Sequence, residues 1–394
     1  MNGKNILKEK EKGKLKLEIN RKEFIKSWQI AERFADTKNP NEALKGVLIT
    51  ALENNTALLE ATDFKTSVKL KAEGVNVLEP GKAIIPNIVS EMLKKSMNDT
   101  LSIETDEKRG VFKSGNNKTR FALPDIGLFP SLPDSEDATE IAIVNDAVLC
   151  QLIFEGNAAS STPQEFPKYM GNSLLQTRDG VIKCVATDGR RLSLSTATPL
   201  EIFEYSDLVF PSQASLKIVK MLEPDQDVTI LANDSTVWFS TEDVNFSIRR
   251  IDTVFPNYEK IIKPEFTTKL TANSDDLLHI IDRVDVIAKS NVAHLAVLNL
   301  SADSNLKIYA VAPEKGTASE NLLANIEGTE LKVGFNVGYL QDGLKAIGSG
   351  EVVIEFNGDE GQSKMTRLNN PDEFLYMLMP ARLSQFENDF KEDE

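Results

Sequence analysis

Few side chains in this sequence have the types and spacing that catalysis or metal binding requires. The two histidines lie apart, His279 on a predicted helix and His294 beside an apolar strand, and neither has Cys, Asp or Glu at metal-ligand spacing. Asp225 and Asp227 suggest a carboxylate pair, but they follow Pro224 at the start of a predicted strand, where Asp commonly forms turns. We therefore predict no catalytic residue, no metal and no cofactor.

A phosphate-binding loop is the second candidate for chemistry. Gly110 and Gly115 are separated by four residues, as the two glycines of such a loop are. Asn116 and Asn117, however, stand where the loop needs Lys followed by Ser or Thr. We interpret this segment as a hairpin. A hydrolase or nucleotide-binding enzyme is the weaker alternative for this chain.

Positively charged side chains show a clearer pattern. One lysine recurs nine residues after a landmark at three places: Lys95 after Pro86, Lys220 after Pro211, and Lys345 after Asn336. Other cations lie beside these lysines or near predicted first helices: Lys94, Lys217, Arg33, Arg283 and Lys289. Lysine and arginine can bind DNA phosphates without reading the base sequence.

Helices are needed to hold these lysines on one surface. On such a helix Lys95 points away from the apolar residues Leu93 and Met97. In the second copy the predicted apolar face consists of Ile218, Met221 and Leu222. Two explanations remain open: the lysines line a DNA-binding surface, or they are solvated helix faces that only aid solubility.

The chain repeats itself with a period of about 125 residues. The matching landmarks are Ala61-Thr62-Asp63, Ala186-Thr187-Asp188 and Tyr309-Ala310-Val311; Pro86, Pro211 and Asn336; and Phe129-Pro130, Phe255-Pro256 and Met379-Pro380. Solenoid repeats are much shorter, so each copy is predicted to be a domain with its own core.

Periodicity within each copy predicts the elements that position the lysines. Leu15, Leu17 and Ile19 alternate as a half-buried strand does, and Phe24 and Trp28 follow at helical spacing. We predict an α+β fold in which each copy packs two helices on mostly antiparallel sheets. The copies are placed at residues 15–137, 138–263 and 264–385. An N-terminal extension at 1–14 and an acidic tail at 386–394 are expected to be disordered.

The formal net charge of −15 argues against a protein that is basic overall. A ring that is acidic outside and basic within would reconcile this charge with DNA binding. Cys150 and Cys184 are predicted to be buried, reduced thiols. The polar N-terminus lacks the apolar core of a signal peptide and no run is long enough to cross a membrane, so we expect a cytoplasmic protein.

Four segments resemble the bacterial DNA polymerase III beta subunit family, the DNA sliding clamps. They are Ala61-Thr62-Asp63, Val185-Ala186-Thr187-Asp188-Gly189-Arg190-Arg191-Leu192, Phe255-Pro256-Asn257-Tyr258 with Ile261, and Leu378-Met379-Pro380-Ala381-Arg382-Leu383. Their order covers nearly the whole chain. The resemblance implies a non-catalytic processivity factor that encircles duplex DNA.

The same resemblance implies a head-to-tail homodimer whose ring contains six similar domains. Its helices would line the pore and turn the eight cations named above towards DNA. The contact positions between subunits would be Phe121, Val286 and Ile287, for which ordinary core packing is an equally open explanation.

In the family, the clamp loader, polymerases and repair proteins insert a short linear motif between the second and third domains. Carried over by position, this partner-peptide pocket consists of Met170, Thr187, Gly189, Arg190, Arg191, Leu192, Pro256, Lys260, Ile261, Ser363, Met377, Leu378, Met379, Pro380, Ala381, Arg382 and Leu383. Met, Leu and Ile make an adaptable apolar slot, while Arg and Lys at its rim can hold peptide carbonyls or acidic side chains. The alternative is that these residues only pack a domain junction.

Two features depart from the family pattern. Arg190 stands where the family usually has His, and Lys260 adds a second cation, so partner preference is expected to differ. The chain also continues beyond the family's C-terminal motif, and we hypothesise that Phe386 or Phe390 competes for the partner-peptide pocket. Unchanged partner-peptide affinity after deletion of residues 384–394 would reject this hypothesis.

A repeat-built scaffold that never touches DNA is the other alternative. A clamp should be retained on circular DNA and slide off after linearisation, whereas an enzyme needs turnover and a scaffold needs neither.

Overall fold

The computed structural model describes residues 14–161, 167–262, 265–301 and 304–383. The predicted extension, apart from Lys14, and the predicted tail with Phe386 and Phe390 lie outside these residues. No helix in the described part of the chain is long and apolar enough to cross a membrane.

The first copy contains nine strands and two helices within the described residues. They are β1 Leu15–Asn20, α1 Arg21–Glu32, β2 Gly46–Ala51, β3 Ala57–Thr62, β4 Thr66–Lys71, β5 Val75–Glu79, β6 Gly81–Pro86, α2 Ile88–Lys95, β7 Thr100–Thr105, β8 Arg109–Ser114 and β9 Asn117–Ala122. Leu15, Leu17, Ile19, Phe24 and Trp28 are all buried, as their periodicity predicts.

The second copy has the same order of elements. They are β10 Thr139–Asn145, α3 Asp146–Gly156, β11 Asn172–Arg178, β12 Val181–Thr187, β13 Arg191–Ala197, β14 Glu201–Ile202, β15 Ser206–Pro211, α4 Ser212–Val219, β16 Asp227–Ala232, β17 Thr236–Ser240 and β18 Val244–Arg249.

The third copy repeats the order again. Its elements are β19 Thr268–Asn273, α5 Ser274–Ala288, β20 Leu295–Leu300, β21 Asn305–Ala312, β22 Gly316–Leu323, β23 Asn325–Gly328, β24 Leu331–Asn336, α6 Val337–Ile347, β25 Glu351–Phe356, β26 Ser363–Arg367 and β27 Phe374–Leu378. The predicted α+β class and the threefold repeat are confirmed.

An asparagine starts the first helix of every copy. The side chains of Asn20, Asn145 and Asn273 each accept a hydrogen bond from a backbone N–H in the first turn of α1, α3 or α5. Asparagine is among the strongest N-cap residues because its side-chain oxygen satisfies a donor that has no partner within the helix. The switch from strand to helix is thus encoded locally and in the same way three times.

The second helices α2 and α4 are shorter than the sequence predicts. Met97 lies beyond α2 and is 96% exposed, and Met221 and Leu222 lie beyond α4. These three residues therefore do not belong to a helix face, although Leu93 and Ile218 are buried as predicted. The Met221 N–H donates to the Ile218 carbonyl, only three residues back, so the α-helical hydrogen-bond pattern ends with α4.

The two cysteines are free, as predicted, but only one is fully buried. Cys184 is enclosed on β12, and this burial raises the pKa of its thiol to about 12. Cys150 is half-buried, so the prediction that both thiols are buried is wrong for this residue. Its Sγ lies 3.3 Å from the carbonyl oxygen of Val219.

The elements form two compact units, which divide the second copy. Unit 1 comprises the described residues up to Ile143 together with Gln226–Arg250, and unit 2 comprises Val144–Asp225 and the described residues from Ile251 onward. Unit 1 contains a sheet of order β5-β1-β7-β8-β9 and another in which β10-β16-β17-β18-β4-β3-β2-β6 are neighbours. Unit 2 contains sheets of order β15-β11-β12-β13-β27-β26-β25-β19-β23 and β22-β21-β20-β24.

The copies are joined by their last strands. In unit 1, β18 of the second copy pairs antiparallel with β4 of the first copy. In unit 2, β27 of the third copy pairs in the same way with β13 of the second copy. Strand β9 of the first copy and strand β22 of the third copy each lie at an edge of their sheet.

Candidate functional site

A tight turn after β12 forms one wall of the predicted partner-peptide pocket in unit 2. Thr187 Oγ1 donates to the Arg191 carbonyl at 2.7 Å and accepts from the Gly189 N–H at 3.1 Å. Asp188 Oδ1 accepts from the backbone N–H groups of Arg190 and Arg191. Gly189 adopts a φ of +83°, a conformation that favours glycine, so the turn presents Arg190 to solvent.

The predicted floor of this pocket is apolar and buried. Leu192 on β13 lies opposite Met377 on β27, so the strand pairing itself brings these two predicted residues together. They share one buried cluster with Leu174, Val185, Val209 and Tyr258, against which Phe255 packs. The resemblance did not assign Leu174, Val185 or Val209 to the pocket, although the alternation of apolar residues in β11, β12 and β15 is the signal that could have found them.

The rim of the pocket is polar on one side and rich in sulfur on the other. Arg190 and Lys260 are exposed, Met379 is 46% exposed, and Met170 and Pro256 are half-buried. The Met379 N–H donates to the Arg190 carbonyl at 2.9 Å, which fixes both ends of the rim. Ile261 is also exposed, and its carbonyl accepts from the Gln362 side chain at 2.9 Å.

Arg191 lies beneath the rim and not on it. Its Nε donates to Asp188 at 2.9 Å, and its Nη1 donates to Asp342 at 2.6 Å and to the Tyr376 hydroxyl at 3.1 Å. The guanidinium also stacks 4.2 Å from the centre of the Tyr339 ring. Burial alone lowers the pKa of Arg191, but Tyr376, Asp342 and Asp188 raise it, so the side chain stays charged and ties the second copy to the third.

Several other predicted pocket residues also pack the protein interior. Ser363 and Leu378 are fully buried opposite each other on β26 and β27. Ala381 and Leu383 pack on the cluster of Leu295, Val297 and Tyr309, and Arg382 between them is exposed. Thr187 is buried, and Pro380 is half-buried. The structure thus places Arg190, Lys260, Ile261, Met379 and Arg382 where a ligand can reach them.

All but one of the eight predicted pore cations are exposed. Lys217 is half-buried, and Arg33, Lys94, Lys95, Lys220, Arg283, Lys289 and Lys345 are exposed. Four of them meet carboxylates: Lys94 with Glu32, Lys95 with Glu91, Arg283 with Glu320, and Lys289 with Asp285, at 2.7–3.1 Å. Of these four pairs only Lys95 with Glu91 is exposed at both ends and contributes little stability. Glu32 and Glu320 are half-buried, and Asp285 is buried.

The three predicted contact positions differ in exposure. Phe121 on β9 is buried, and its ring covers Gly110 so closely that a Cβ there would lie 2.2 Å from Phe121 Cε2. Val286 on α5 is 68% exposed, and Ile287 is partly buried against the core of the third copy.

The segments that suggested chemistry have structural roles. Gly110 and Gly115 lie in the hairpin of β8 and β9, as predicted. Asp225 has a φ of +62° in the turn before β16, which begins at Asp227. Among the described residues no group of His, Cys, Asp and Glu is arranged to hold a metal ion.

Comparisons with known proteins agree with the threefold repeat. Residues 15–133, 144–257 and 259–382 match the models of the N-terminal, central and C-terminal domains of the DNA polymerase III beta subunit. A beta sliding clamp of Staphylococcus epidermidis is 27% identical over 379 residues, covering 92% of this chain and 98% of that protein.

Solved structures are similar over the same extent. The DNA polymerase III beta chain of Streptococcus pneumoniae superposes with a TM-score of 0.88 at 22% identity, covering 93% of this chain and all of that chain. The DNA polymerase sliding clamp of Bacillus subtilis gives 0.86 at 24% identity, covering 94% of this chain and 99% of that chain. The chain therefore shares its overall fold with these solved chains.

Proposed function

The chain belongs to the DNA polymerase III beta subunit family, and from this membership we propose that it works as a sliding clamp, a non-catalytic ring around duplex DNA. The observation that carries the proposal is the order of three family-domain matches along residues 15–133, 144–257 and 259–382. A clamp acts on DNA, so we place its work in the bacterial cytoplasm. It tethers polymerase to the template and needs no cofactor of its own.

Ring closure is supported by the way the copies join. The last strand of the second copy pairs with the first copy, and the last strand of the third copy pairs with the second. Continuing this rule, edge strand β9 should pair with β22 of a second copy of the chain. Two such contacts close a head-to-tail homodimer, because a heterologous interface that meets itself after one rotation forms a ring. Phe121 on β9 and Val286 on α5 would lie at this contact.

DNA would be held in the pore by charge alone. Lys95 is the last residue of α2 and Lys345 lies within α6, whereas Lys220 follows the last residue of α4, so the prediction that it lies on a helix is wrong; all three lysines are exposed. Contacts to phosphate carry no sequence information and weaken steeply with salt. Such contacts hold the duplex while allowing the ring to slide.

Partner proteins would bind at the pocket formed by Arg190, Lys260, Met379 and the floor of Leu192 and Met377. We propose that the replicative polymerase and the clamp loader insert an apolar side chain above this floor. Arg190 and Lys260 then hold carbonyl or acidic groups of the peptide. Methionine side chains adapt to different ligands, which suits a site used by several partners.

Topology gives the sharpest test of encirclement. The protein is loaded onto nicked circular DNA by the clamp loader of the same cell with ATP, and the complex is isolated by gel filtration. Linearisation of the DNA at a single site should release the protein, whereas an uncut circle should retain it. Equal retention on both forms would contradict the proposal, as would an inability to be loaded on either form. A scaffold predicts no loading, and an enzyme predicts turnover of a substrate.

A further inference from the structure

The backbone of the partner-peptide pocket occurs a second time, in unit 1. Thr62 Oγ1 donates to the Thr66 carbonyl at 2.9 Å and accepts from the Phe64 N–H at 3.0 Å. Asp63 Oδ1 accepts from the N–H groups of Lys65 and Thr66. These are the hydrogen bonds of the turn at Thr187–Arg191, one repeat earlier.

Strand pairing next to this turn is also the same. Ser67 on β4 lies opposite Ser247 on β18, just as Leu192 lies opposite Met377. The Arg249 N–H donates to the Lys65 carbonyl at 2.9 Å, the same distance as from the Met379 N–H to the Arg190 carbonyl. The junction between the first and second copies therefore repeats the framework of the junction between the second and third.

The side chains on this common framework have different chemistry. Leu192 and Met377 of the apolar floor are replaced by Ser67 and Ser247, whose hydroxyl oxygens lie 2.5 Å apart. At the rim, Phe64 replaces Gly189 and Arg249 replaces Met379. Phe64 is 59% exposed and has a φ of +67°, so the turn holds its ring towards solvent.

These residues line a cavity of about 280 Å³, which we call the junction notch. Its lining is Thr62, Phe64, Lys65, Thr66, Ser67, Pro133, Ser235, Thr236, Ser247 and Arg249. The lining contains two exposed cations and no carboxylate, in a chain whose net charge is −15. Among the described residues neither Lys65 nor Arg249 has an ion-pair partner.

A second cavity continues from the notch under Pro133 and limits where an anion can bind. Its lining shares Ser67, Pro133 and Ser247 with the notch. It also contains two lysines and a larger number of carboxylates, which are Glu60, Asp134, Glu140, Glu242 and Asp243. Carboxylates at that end repel an anionic ligand, so the attractive end is the one with Lys65 and Arg249.

We propose that the junction notch is a second docking site, which binds an acidic segment of a partner protein with an aromatic side chain beside its carboxylates. Lys65 and Arg249 bind the carboxylates, the Phe64 ring packs against the aromatic side chain, and the hydroxyl floor meets the polar backbone of the segment. The site differs from the partner-peptide pocket in ligand chemistry and not in framework. The inference goes beyond the proposed function and does not depend on DNA encirclement.

A synthetic peptide with the sequence of residues 384–394 is a suitable probe, because its two phenylalanines, Phe386 and Phe390, stand beside acidic residues. Labelled with fluorescein, it is titrated with the full chain at low salt and followed by fluorescence anisotropy. We expect saturable binding that weakens about tenfold or more in the double variant Lys65→Glu/Arg249→Glu. Phe64→Ala should weaken binding several-fold. A peptide with amides in place of its carboxylates should bind the unmodified protein as weakly as the original peptide binds the double variant.

Two control proteins make the result specific. Lys108→Glu/Lys315→Glu carries the same charge change away from the notch and should retain binding, and Arg190→Glu/Met379→Ala alters only the partner-peptide pocket and should also retain it. Absence of saturable binding, full binding by the notch double variant, or loss of binding in the pocket variant would overturn the proposal. Thermal midpoints of all variants, measured alongside, confirm that they fold. Failure of DNA loading would overturn the clamp function instead and leave this result standing.

Discussion

At the scale of single residues, two neighbouring arginines that were predicted in the pocket have different surroundings. Arg190 is exposed, whereas Arg191 is buried and donates hydrogen bonds to Asp188, Asp342 and Tyr376. A buried ion pair is weak evidence of net stability, but removing one partner leaves an uncompensated charge. Adjacent positions with the same side chain should therefore respond differently to the same substitution.

We expect Arg191→Met to lower the stability of the second and third copies by about 3–5 kcal/mol, since it strands the carboxylate of Asp188 inside the protein. Arg190→Met is the matched control and should change stability by less than about 0.5 kcal/mol, as exposed substitutions usually do. Thermal midpoints measure the first effect. Arg190→Met should instead have a lower affinity for a polymerase-derived clamp-binding peptide. Equal thermal midpoints for the two variants would contradict the assignment of a structural role to Arg191 alone.

Asp285 gives a prediction with a pH dependence. Burial alone raises the pKa of Asp285, but hydrogen bonds from Lys289 and His294 lower it below the ordinary 3.8. A carboxyl whose pKa is depressed by folding stabilises the protein above its unfolded pKa, and this contribution is lost as the pH falls through the folded value. Asp285→Asn should therefore lower the thermal midpoint at pH 7. The difference in thermal midpoint between this variant and the parent protein should become smaller below pH 3.8.

Asp282→Asn on the same helix is the control for this effect, because Asp282 is exposed. It should show a small difference from the parent protein at every pH. A constant deficit of Asp285→Asn across the whole range would mean that lost packing, and not the ionised carboxylate, explains the variant.

At the scale of elements, local signals in the sequence predict where strands and helices begin. The alternation of Leu15, Leu17 and Ile19 and the threefold spacing of Pro86, Pro211 and Asn336 correctly predict strands that lead into helices. Helix ends were predicted less well, since Met97 and Met221 have helical spacing yet lie beyond α2 and α4. Apolar periodicity carries no information on where packing stops a helix.

The candidate site was predicted only in part, for a related reason. The turn at Thr187–Arg191 is readable from its residue types, because Asp and Gly form such turns. That Leu192 meets Met377 depends on the pairing of β13 with β27, two strands far apart in the sequence. The partners of Arg191 on α6 and β27 are likewise far away in the sequence, so local patterns cannot predict them.

The second helices provide the element-scale prediction. Replacing Lys95, Lys220 and Lys345 with Glu reverses the charge at one position in all three copies, so phosphate contacts should become repulsive. We expect poorer loading and shorter DNA products in a primer-extension assay, with an unchanged thermal midpoint. The control Lys38→Glu/Lys71→Glu/Lys332→Glu has the same net charge, and its three exposed lysines lie outside the six helices and outside β9 and β22. Normal processivity in the first variant would assign these lysines to solubility alone.

At the scale of the whole molecule, one rule of assembly explains both the junctions and the free edges. The last strand of the second copy pairs with the first copy, and the last strand of the third copy pairs with the second. Within the described residues β9 of the first copy and β22 of the third copy are left at sheet edges. An exposed sheet edge invites pairing with another chain. We therefore propose that β9 and β22 pair between two copies of the chain, by the same rule that joins the copies within it.

The rule also gives a register for the contact between subunits. The Leu123 N–H donates to the Lys108 carbonyl, and the Arg250 N–H donates to the Ser235 carbonyl. These two hydrogen bonds are equivalent in the first and second copies. Counting back three residues from Leu123 and from Arg250 therefore places Arg120 on β9 at the position of Ser247. Thr317 on β22 lies one period after Leu192 and two after Ser67. Since Ser67 and Ser247 touch, Arg120 should face Thr317 of the partner copy.

Arg120→Cys/Thr317→Cys should therefore form disulfides between copies under mild oxidation, because cysteine side chains at directly opposed strand positions can reach each other. Two identical contacts per ring predict a covalent dimer on a non-reducing gel, without longer polymers. The single variants should stay monomeric on the gel, and Arg120→Cys/Ser319→Cys, two residues out of register, should cross-link far less. A ladder of polymers would indicate an open chain of subunits, and equal cross-linking out of register would show that β9 and β22 do not pair as the two internal junctions do.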